Sequence, residues 1–141
     1  MTESGRTEPR AIIERLVRAI NAHDLESLVG CFALDVESVQ PTHPARSFRG
    51  RDQVRQNWTQ LFGSVPDLHA ELLGCVVQPD GVWTEWRWSG TRRGGDHLEM
   101  RGVTIQRIQD DVIASLRFYM EPVQDGGGDV AGAIREMVAA R

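Results

Sequence analysis

The sequence contains no lysine, because all 16 basic residues of the 141-residue chain are arginine. Without a lysine amine, no side chain can form a Schiff base with pyridoxal phosphate or with a carbonyl substrate, which excludes that class of covalent catalysis. The formal net charge of -4 and the lack of a basic cluster argue against nucleic acid, whose phosphates are bound through Lys and Arg. We expect neither a bound cofactor nor a nucleic-acid partner.

Long apolar runs, paired cysteines and clustered histidines are also missing. No run approaches the roughly 18 apolar residues that span a bilayer, and the polar segment Met1 to Pro9 lacks the order of a secretory signal, so we expect a cytoplasmic protein without membrane contact. Cys31 and Cys75 stand singly, which favours buried small hydrophobes over a disulfide. No metal is expected, because no two histidines have the i, i+4 spacing of a helical site: His23, His43, His69 and His97.

Apolar residues recur at helical spacing in the first third of the chain, and the total length fits one domain. The chain is predicted to begin with a tail at residues 1–8, whose end overlaps an N-cap signal at Thr7 to Pro9. A first helix with the stripe Ile12 to Ile20 and a second helix, capped by Asp24 and carrying Leu25 to Phe32, follow. A short strand from Asp35 to Gln40 then precedes a third helix from Asp52 to Phe62.

From Leu68 onward the pattern changes to the two-residue alternation of strands. Turn residues at Pro79 to Gly81, at Gly90 to Asp96 and at Asp110 with Asp111 separate four strands. One face is predicted to be apolar and to point inward: Leu68, Ala70, Leu72, Val76, Val82, Thr84, Trp86, Trp88, Leu98, Met100, Gly102, Thr104, Gln106, Leu116, Phe118 and Met120. We therefore predict an α+β fold, a cone-shaped, curved, mainly antiparallel sheet wrapped over three N-terminal helices and enclosing an apolar cavity.

A glycine-rich linker at residues 124–128 precedes a C-terminal amphipathic helix at 129–141, which carries Val130, Ile134, Met137 and Val138. Three roles are open for this helix: it covers the mouth of the cavity, it lies across a neighbouring subunit, or it binds another partner. Docking on its own domain is the simplest of the three.

Four short segments resemble the SnoaL-like branch of the nuclear transport factor 2 superfamily. They are Asn21-Ala22-His23-Asp24-Leu25, Phe32-Ala33-Leu34-Asp35-Val36, Phe48-Arg49-Gly50-Arg51-Asp52-Gln53-Val54 and Tyr119-Met120-Glu121-Pro122. The resemblance covers about residues 8–123 and implies an α+β barrel domain at 9–123. The fold hosts isomerases, cyclases, epoxide hydrolases, dehydratases and binders without activity, so it does not by itself select a function.

The same resemblance implies that the inward acids of those enzymes are replaced here. Gln40 stands where ketosteroid isomerases have their general-base aspartate, and Leu16 and Thr104 stand at their two oxyanion donors. Phe118 stands where limonene-type epoxide hydrolases have an aspartate that holds water, and cyclases of the SnoaL type use an acid in that neighbourhood.

His43 is then the best remaining general acid or base, because its ordinary pKa lies near neutrality, while Gln40, Thr104 and Gln106 would hold a substrate oxygen. His43 as a solvated loop residue is an equally open interpretation. The predicted ligand-binding residues are Trp58, Thr84, Trp86, Trp88, Met100, Gln106, Phe118 and Met120. We expect an apolar, aromatic or polycyclic ligand and cofactor-free isomerase, cyclase or dehydratase chemistry; the alternative is a module that binds a ligand or dimerises without catalysis.

The opposite face of the sheet is predicted to be charged. Its side chains could form an acid-base cluster, but cross-strand ion pairs mixed with Trp83, Val103, Ile105 and Tyr119 are more typical of a two-fold subunit interface. The charged members are Glu85, Arg87, Glu99, Arg101, Arg117 and Glu121. The resemblance also implies a homodimer through this surface.

Overall fold

The computed structural model describes residues 8–139 as an open six-stranded sheet with four α-helices. The elements are α1 (Pro9–Asn21), α2 (Leu25–Val29), β1 (Phe32–Val39), a short 3-10 turn (Pro44–Arg46), β2 (Phe48–Arg49), α3 (Arg51–Ser64), β3 (His69–Gln78), β4 (Gly81–Thr91), β5 (His97–Gln109), β6 (Val112–Pro122) and α4 (Val130–Val138). The predicted α+β class, the mixed sheet and the three N-terminal helices are confirmed. Thr7 and the rest of the predicted tail, apart from Glu8, lie outside the described residues.

Helix α1 forms because Pro9 occupies its first turn and the apolar residues that follow fall on one face. Ile12 and Ile13 are fully buried, and Leu16 and Ile20 are nearly so. Two hydrogen bonds with the backbone of Ala70 then fasten the end of α1 to β3: the Asn21 side chain donates to the carbonyl at 3.0 Å and accepts from the amide at 2.7 Å. The helix is thereby held across the sheet and forms one wall of the interior.

Helix α2 is shorter than predicted. Asp24 caps it, accepting from the Ser27 amide at 3.2 Å and from the Ser27 hydroxyl at 2.7 Å, and these bonds lower the pKa of the Asp24 carboxyl from its ordinary value. The predicted extension to Phe32 is wrong, because the helix ends at Val29 and Phe32 begins β1, where it pairs with Ile113. Phe32 is an apolar residue that either a helix or a strand could bury, so its helical spacing did not decide between them; pairing with β6 places it in β1.

The sheet has the strand order β2-β1-β6-β5-β4-β3. All neighbours pair antiparallel except β1 and β6, which run parallel. Asp110 and Asp111, with φ of 55° and 64°, form the tight turn between β5 and β6, as the sequence predicts. On β4 the alternation is as predicted, with Trp86 and Trp88 only 2% and 7% exposed while Trp83 on the other face is 46% exposed.

Strand β3 departs from the predicted alternation at a bulge between Leu72 and Gly74. One extra residue there reverses the side on which all later side chains lie. Val76, predicted to point inward, is therefore 54% exposed, and Cys75 packs against the core instead. Val76 consequently lies on the convex face, opposite Trp83.

Gly102 lies in β5 between Trp86 of β4 and Met120 of β6. Its φ is +152°, and a Cβ atom at this position would stand 2.2 Å from the Tyr119 carbonyl oxygen and 2.6 Å from the Met120 Cα. Only a residue without a side chain allows β6 to approach so closely. Strands β5 and β6 therefore lie unusually close to each other at Gly102.

Helix α4 is capped by Asp129, which accepts from the Gly132 amide at 3.0 Å. Its apolar residues are largely exposed: Val130 77%, Ile134 48%, Met137 71% and Val138 72%. The expectation that this helix docks on its own domain is wrong for the described part, since its stripe faces away from the core. Of the helices within residues 8–139, none has both the length and the hydropathy needed to cross a membrane.

Candidate functional site

The candidate site is a partly open cavity of about 160 Å³ between the sheet and helices α1 and α3, here called the inner cavity. The walls follow from local patterns: the stripe of α1 contributes Leu16 and Ile20, one face of α3 contributes residues from Val54 to Leu61, and the strands contribute inward positions. Seven predicted site residues line it, together with Ser38: Gln40, Trp58, Trp86, Trp88, Thr104, Gln106 and Phe118. The structure thus brings most of the predicted ligand-binding residues together.

A closed network of hydrogen bonds forms the polar end of this cavity. The Trp86 indole N–H contacts the hydroxyl oxygens of Thr84 and Thr104 at 2.9 Å each. The Thr84 hydroxyl donates to the Thr104 carbonyl at 2.9 Å, the Thr104 hydroxyl donates to the Gln106 side-chain oxygen, and the Gln106 amide donates to the Val82 carbonyl at 3.0 Å. Each polar group is satisfied within the protein, as buried groups must be.

This network changes the interpretation of Thr104, which was predicted to hold a substrate oxygen. Its hydroxyl hydrogen is used by Gln106, and Thr104 itself is 4% exposed. Thr84 is 1% exposed and supports Thr104 from behind rather than lining the cavity. The network therefore acts as a rigid polar floor.

Aromatic rings form a second wall, to which Trp86 also contributes. The Trp88 ring centroid lies 5.1 Å from that of Trp58, 6.2 Å from Phe118 and 6.3 Å from Trp86, in tilted or edge-on arrangements. Such geometry is favourable between aromatic rings and fixes their positions relative to one another. The wall offers ring faces and edges to a bound molecule.

A second space of about 500 Å³, here called the outer cleft, adjoins the inner cavity. The two share Asn57, Leu61, Trp88 and Phe118 as a partition. Met100, predicted to bind ligand in the cavity, lines the outer cleft instead. The other predicted methionine, Met120, is 2% exposed and belongs to the core.

The structure places His43 outside the inner cavity, on the loop after β1. Its Nε2 lies 2.9 Å from the Glu121 Oε2, and the two side chains are 37% and 49% exposed. The loop keeps one link to the cavity, because the His43 amide donates to the carbonyl of Gln40 at 3.0 Å and Gln40 lines the cavity. His43 therefore lies beside Gln40, at the rim of the inner cavity, and its own side chain pairs with Glu121.

Between residues 8 and 139, no Asp, Glu, His, Cys, Tyr or Arg side chain borders the inner cavity. Asn57, which sequence reasoning missed, does border it, although its own amide oxygen accepts from Gln53 at 2.8 Å. Asn57 follows Val54 by three residues and precedes Leu61 by four, so the helical spacing of α3 contained the signal. The cavity can therefore offer shape, aromatic surface and neutral hydrogen-bonding groups.

Three of the predicted charged side chains on the convex face, Arg87, Glu99 and Arg101, pair with one another. Glu99 accepts from Arg101 at 2.8 Å and from Arg87 at 3.2 Å, and these arginines lower the pKa of the Glu99 carboxyl from its ordinary value. The pairing is across strands or along one strand, as on an exposed sheet face. Two arginines engage the Glu99 carboxylate, which does not favour the acid-base interpretation of this cluster.

The curved mixed sheet over three helices, with an apolar cavity between them, defines a nuclear transport factor 2-like α+β domain. The sequence profile of the SnoaL-like domain matches residues 13–116, so the chain belongs to this family. A search among curated proteins finds no significant match.

Solved structures give the same result for the fold. Wild-type IdmH from Streptomyces antibioticus, a candidate polyketide cyclase, is 25% identical, with a TM-score of 0.70 over 82% of this chain and 93% of that one. A Mycobacterium tuberculosis protein solved with estradiol-17β-hemisuccinate is 19% identical, with a TM-score of 0.68 over 81% and 94%. A SnoaL-like protein of Shewanella denitrificans is 13% identical, with a TM-score of 0.67 over 82% and 92%.

Proposed function

We propose that this protein binds a small, largely apolar molecule in the inner cavity and that binding, rather than proton transfer, is its activity. The observation that carries the proposal is a lining of aromatic and aliphatic side chains without a titratable group among the described residues. Acid-base chemistry needs a group that exchanges a proton within hydrogen-bond reach of the substrate. The alternative predicted from the sequence, a binding module, therefore fits this cavity better than the isomerase, cyclase or dehydratase.

The size of the cavity limits the ligand. A volume of about 160 Å³ is close to that of engineered protein cavities of roughly 150 Å³ that bind benzene, and below the roughly 300 Å³ where drug-sized sites begin. A one-ring molecule fits the inner cavity alone. A polycyclic ligand needs the outer cleft as well, with its first ring between Trp58 and the floor network. The steroid-like ligand of the Mycobacterium tuberculosis protein supports this longer form.

Thermal shift measurements with ethylbenzene and benzylamine test the proposal. The two molecules are similar in size, but benzylamine is a cation at pH 7 and would be buried without a counter-charge, which is costly. We expect ethylbenzene to raise Tm by several degrees, since ligand at a hundredfold excess over Kd adds about 2.7 kcal/mol to folding stability. Benzylamine should leave Tm unchanged. Equal shifts for both molecules, or no shift with ethylbenzene, would refute binding in this cavity.

One observation favours an enzyme as the second candidate. The His43 to Glu121 pair is a histidine with a carboxylate at 2.9 Å, adjoining the rim residue Gln40 through the backbone. A carboxylate that orients an imidazole is a common arrangement in general-base catalysis. The variant His43→Ala separates the two candidates, because the binding proposal leaves the Kd for ethylbenzene within about twofold of wild type. Turnover of a polyketide substrate that disappears in this variant would instead support the cyclase.

We also propose that two copies of the chain associate through the convex face. Three exposed apolar side chains lie there beside the ion pairs: Val76 at 54%, Trp83 at 46% and Tyr119 at 37%. An exposed tryptophan amid apolar neighbours and arginines is typical of an interface centre.

The substitution Trp83→Glu is expected to shift the protein from dimer to monomer in light scattering, because it places a charge at the middle of that patch. The matched control is Met137→Glu on α4, where another exposed apolar side chain, outside the convex face, becomes charged. A monomeric wild type, or a dimer that only the control dissociates, would show that the convex face is not the interface.

A further inference from the structure

Trp86 and Trp88 are two residues apart on β4, point to the same side and are both buried, yet their indole N–H groups differ. The Trp86 N–H has two threonine oxygens at 2.9 Å. The Trp88 N–H, in a side chain that is 7% exposed, has no hydrogen-bond partner, and it is the one such buried side-chain atom within the described part of the chain. The fold satisfies one tryptophan and leaves the other unpaired.

An unpaired N–H in the interior is unfavourable, because the group has lost its water without gaining an acceptor. The Trp88 ring borders both the inner cavity and the outer cleft. The nearby oxygens of Thr84, Thr104 and Gln106 are already engaged with one another and with Trp86. An acceptor for Trp88 therefore has to come from a molecule in one of the two spaces that its ring borders.

We infer that the ligand carries a neutral oxygen acceptor, such as the carbonyl of an aryl ketone, ester or quinone, and that the Trp88 Nε1–H donates to it. This inference rests on the proposed binding function and makes Trp88 the residue that determines specificity within it. A carbonyl accepts without bringing a hydrogen that needs a partner of its own, whereas a hydroxyl would add a donor beside oxygens that are already used. An anion in the inner cavity would lack a counter-charge, because no cationic side chain among residues 8–139 borders that cavity and Arg92 borders the outer cleft instead.

The test compares acetophenone with α-methylstyrene, which has the same shape but carries a methylene group in place of the carbonyl oxygen. Absolute affinities also reflect how strongly water holds the ketone, so the informative quantity is the ratio of the two Kd values. We expect Trp88→Phe to reduce the relative preference for acetophenone about tenfold compared with wild type, as for the loss of one buried hydrogen bond. The same ratio in wild type and variant would overturn the inference.

Two further variants separate the hydrogen bond from changes in shape. Trp83→Phe removes an indole on the convex face, so both affinities should remain as in wild type. Trp58→Phe alters the wall of the same cavity, so both affinities should fall while their ratio stays constant. A ratio that changes equally in Trp58→Phe and Trp88→Phe would show that the cavity shape, not the N–H, sets the preference.

Nuclear magnetic resonance of the wild-type protein provides a measurement that does not depend on the folding of Trp88→Phe. Nitrogen-15 labelling gives one indole signal for each of the four tryptophans. Acetophenone should move the Trp88 N–H proton downfield, as an added acceptor does, and α-methylstyrene should not. If both probes bind and neither moves this signal downfield, the inference fails while the proposed function stands. If neither probe binds, the result refutes the proposed binding function itself.

Discussion

Replacing Gly102 with alanine is expected to reduce the free energy of unfolding by about 3–5 kcal/mol, a large share of the roughly 5–15 kcal/mol that stabilises a typical domain. The added Cβ would stand 2.2 Å from the Tyr119 carbonyl oxygen and 2.6 Å from the Met120 Cα, and both are backbone atoms that cannot rotate away. The positive φ of +152° adds conformational strain for any residue with a side chain. The strands β5 and β6 would have to separate at the centre of the sheet.

Urea unfolding followed by circular dichroism measures this effect, and Gly94→Ala is the matched control. Gly94 has no heavy atom within 4 Å of an added Cβ, so the control should be neutral. A Gly102→Ala protein with wild-type stability would mean that the close approach of β5 and β6 relaxes at little cost.

The substitution Gln106→Glu is expected to cause the second-largest loss of folding stability, and the size of that loss should depend on pH. Gln106 is 2% exposed and belongs to the floor network, so a carboxylate there would lose water and place negative charge beside threonine oxygens. Burial raises the pKa of the new carboxyl above the roughly 4.3 of an unfolded glutamate. Above that pH the unfolded state releases its proton more readily than the folded state, so stability falls as pH rises.

For a pKa raised by about two to three units, the loss at pH 7 is roughly 2.5–3.5 kcal/mol, and near pH 4 most of it disappears. Unfolding curves of wild type and variant at pH 4 and pH 7 measure the difference. Gln78→Glu, at an exposed position near the end of β3, should show almost no dependence of this kind. A Gln106→Glu variant whose stability loss is the same at both pH values would indicate that water reaches the floor of the cavity.

The faces of β4, β5 and β6 were predictable because apolar and charged side chains alternate along each strand, and alternate side chains of a strand lie on opposite faces. The turn at Asp110 and Asp111 sets only the first pairs, Gln109 with Val112 and Ile108 with Ile113, because the register shifts by one residue before Arg107. The bulge at Leu72 to Gly74 was not predictable, since Val76 and Cys75 are both acceptable on an inward face. Local apolar character does not report where an extra residue is inserted.

The residues of the candidate site were likewise predictable only in part. Trp58, Trp86, Trp88 and Phe118 were placed by helical or strand spacing, and they meet as predicted. His43 was misplaced relative to the cavity because it lies on a loop whose path depends on a contact with Glu121, 78 positions away. The division into cavity and cleft depends on the tilt between the Trp88 and Phe118 rings, which no sequence pattern encodes.

The parallel pairing of β1 with β6 has a consequence for how the chain acquires its fold. Phe32 pairs with Ile113, so β1 gains a neighbour on that side only after nearly the whole domain has been synthesised. Bringing such distant segments together has an entropic cost before any contact compensates for it, and folds rich in such pairs form slowly. During translation the two hairpins of β3 to β5 can assemble first, while β1 waits for β6 to emerge from the ribosome.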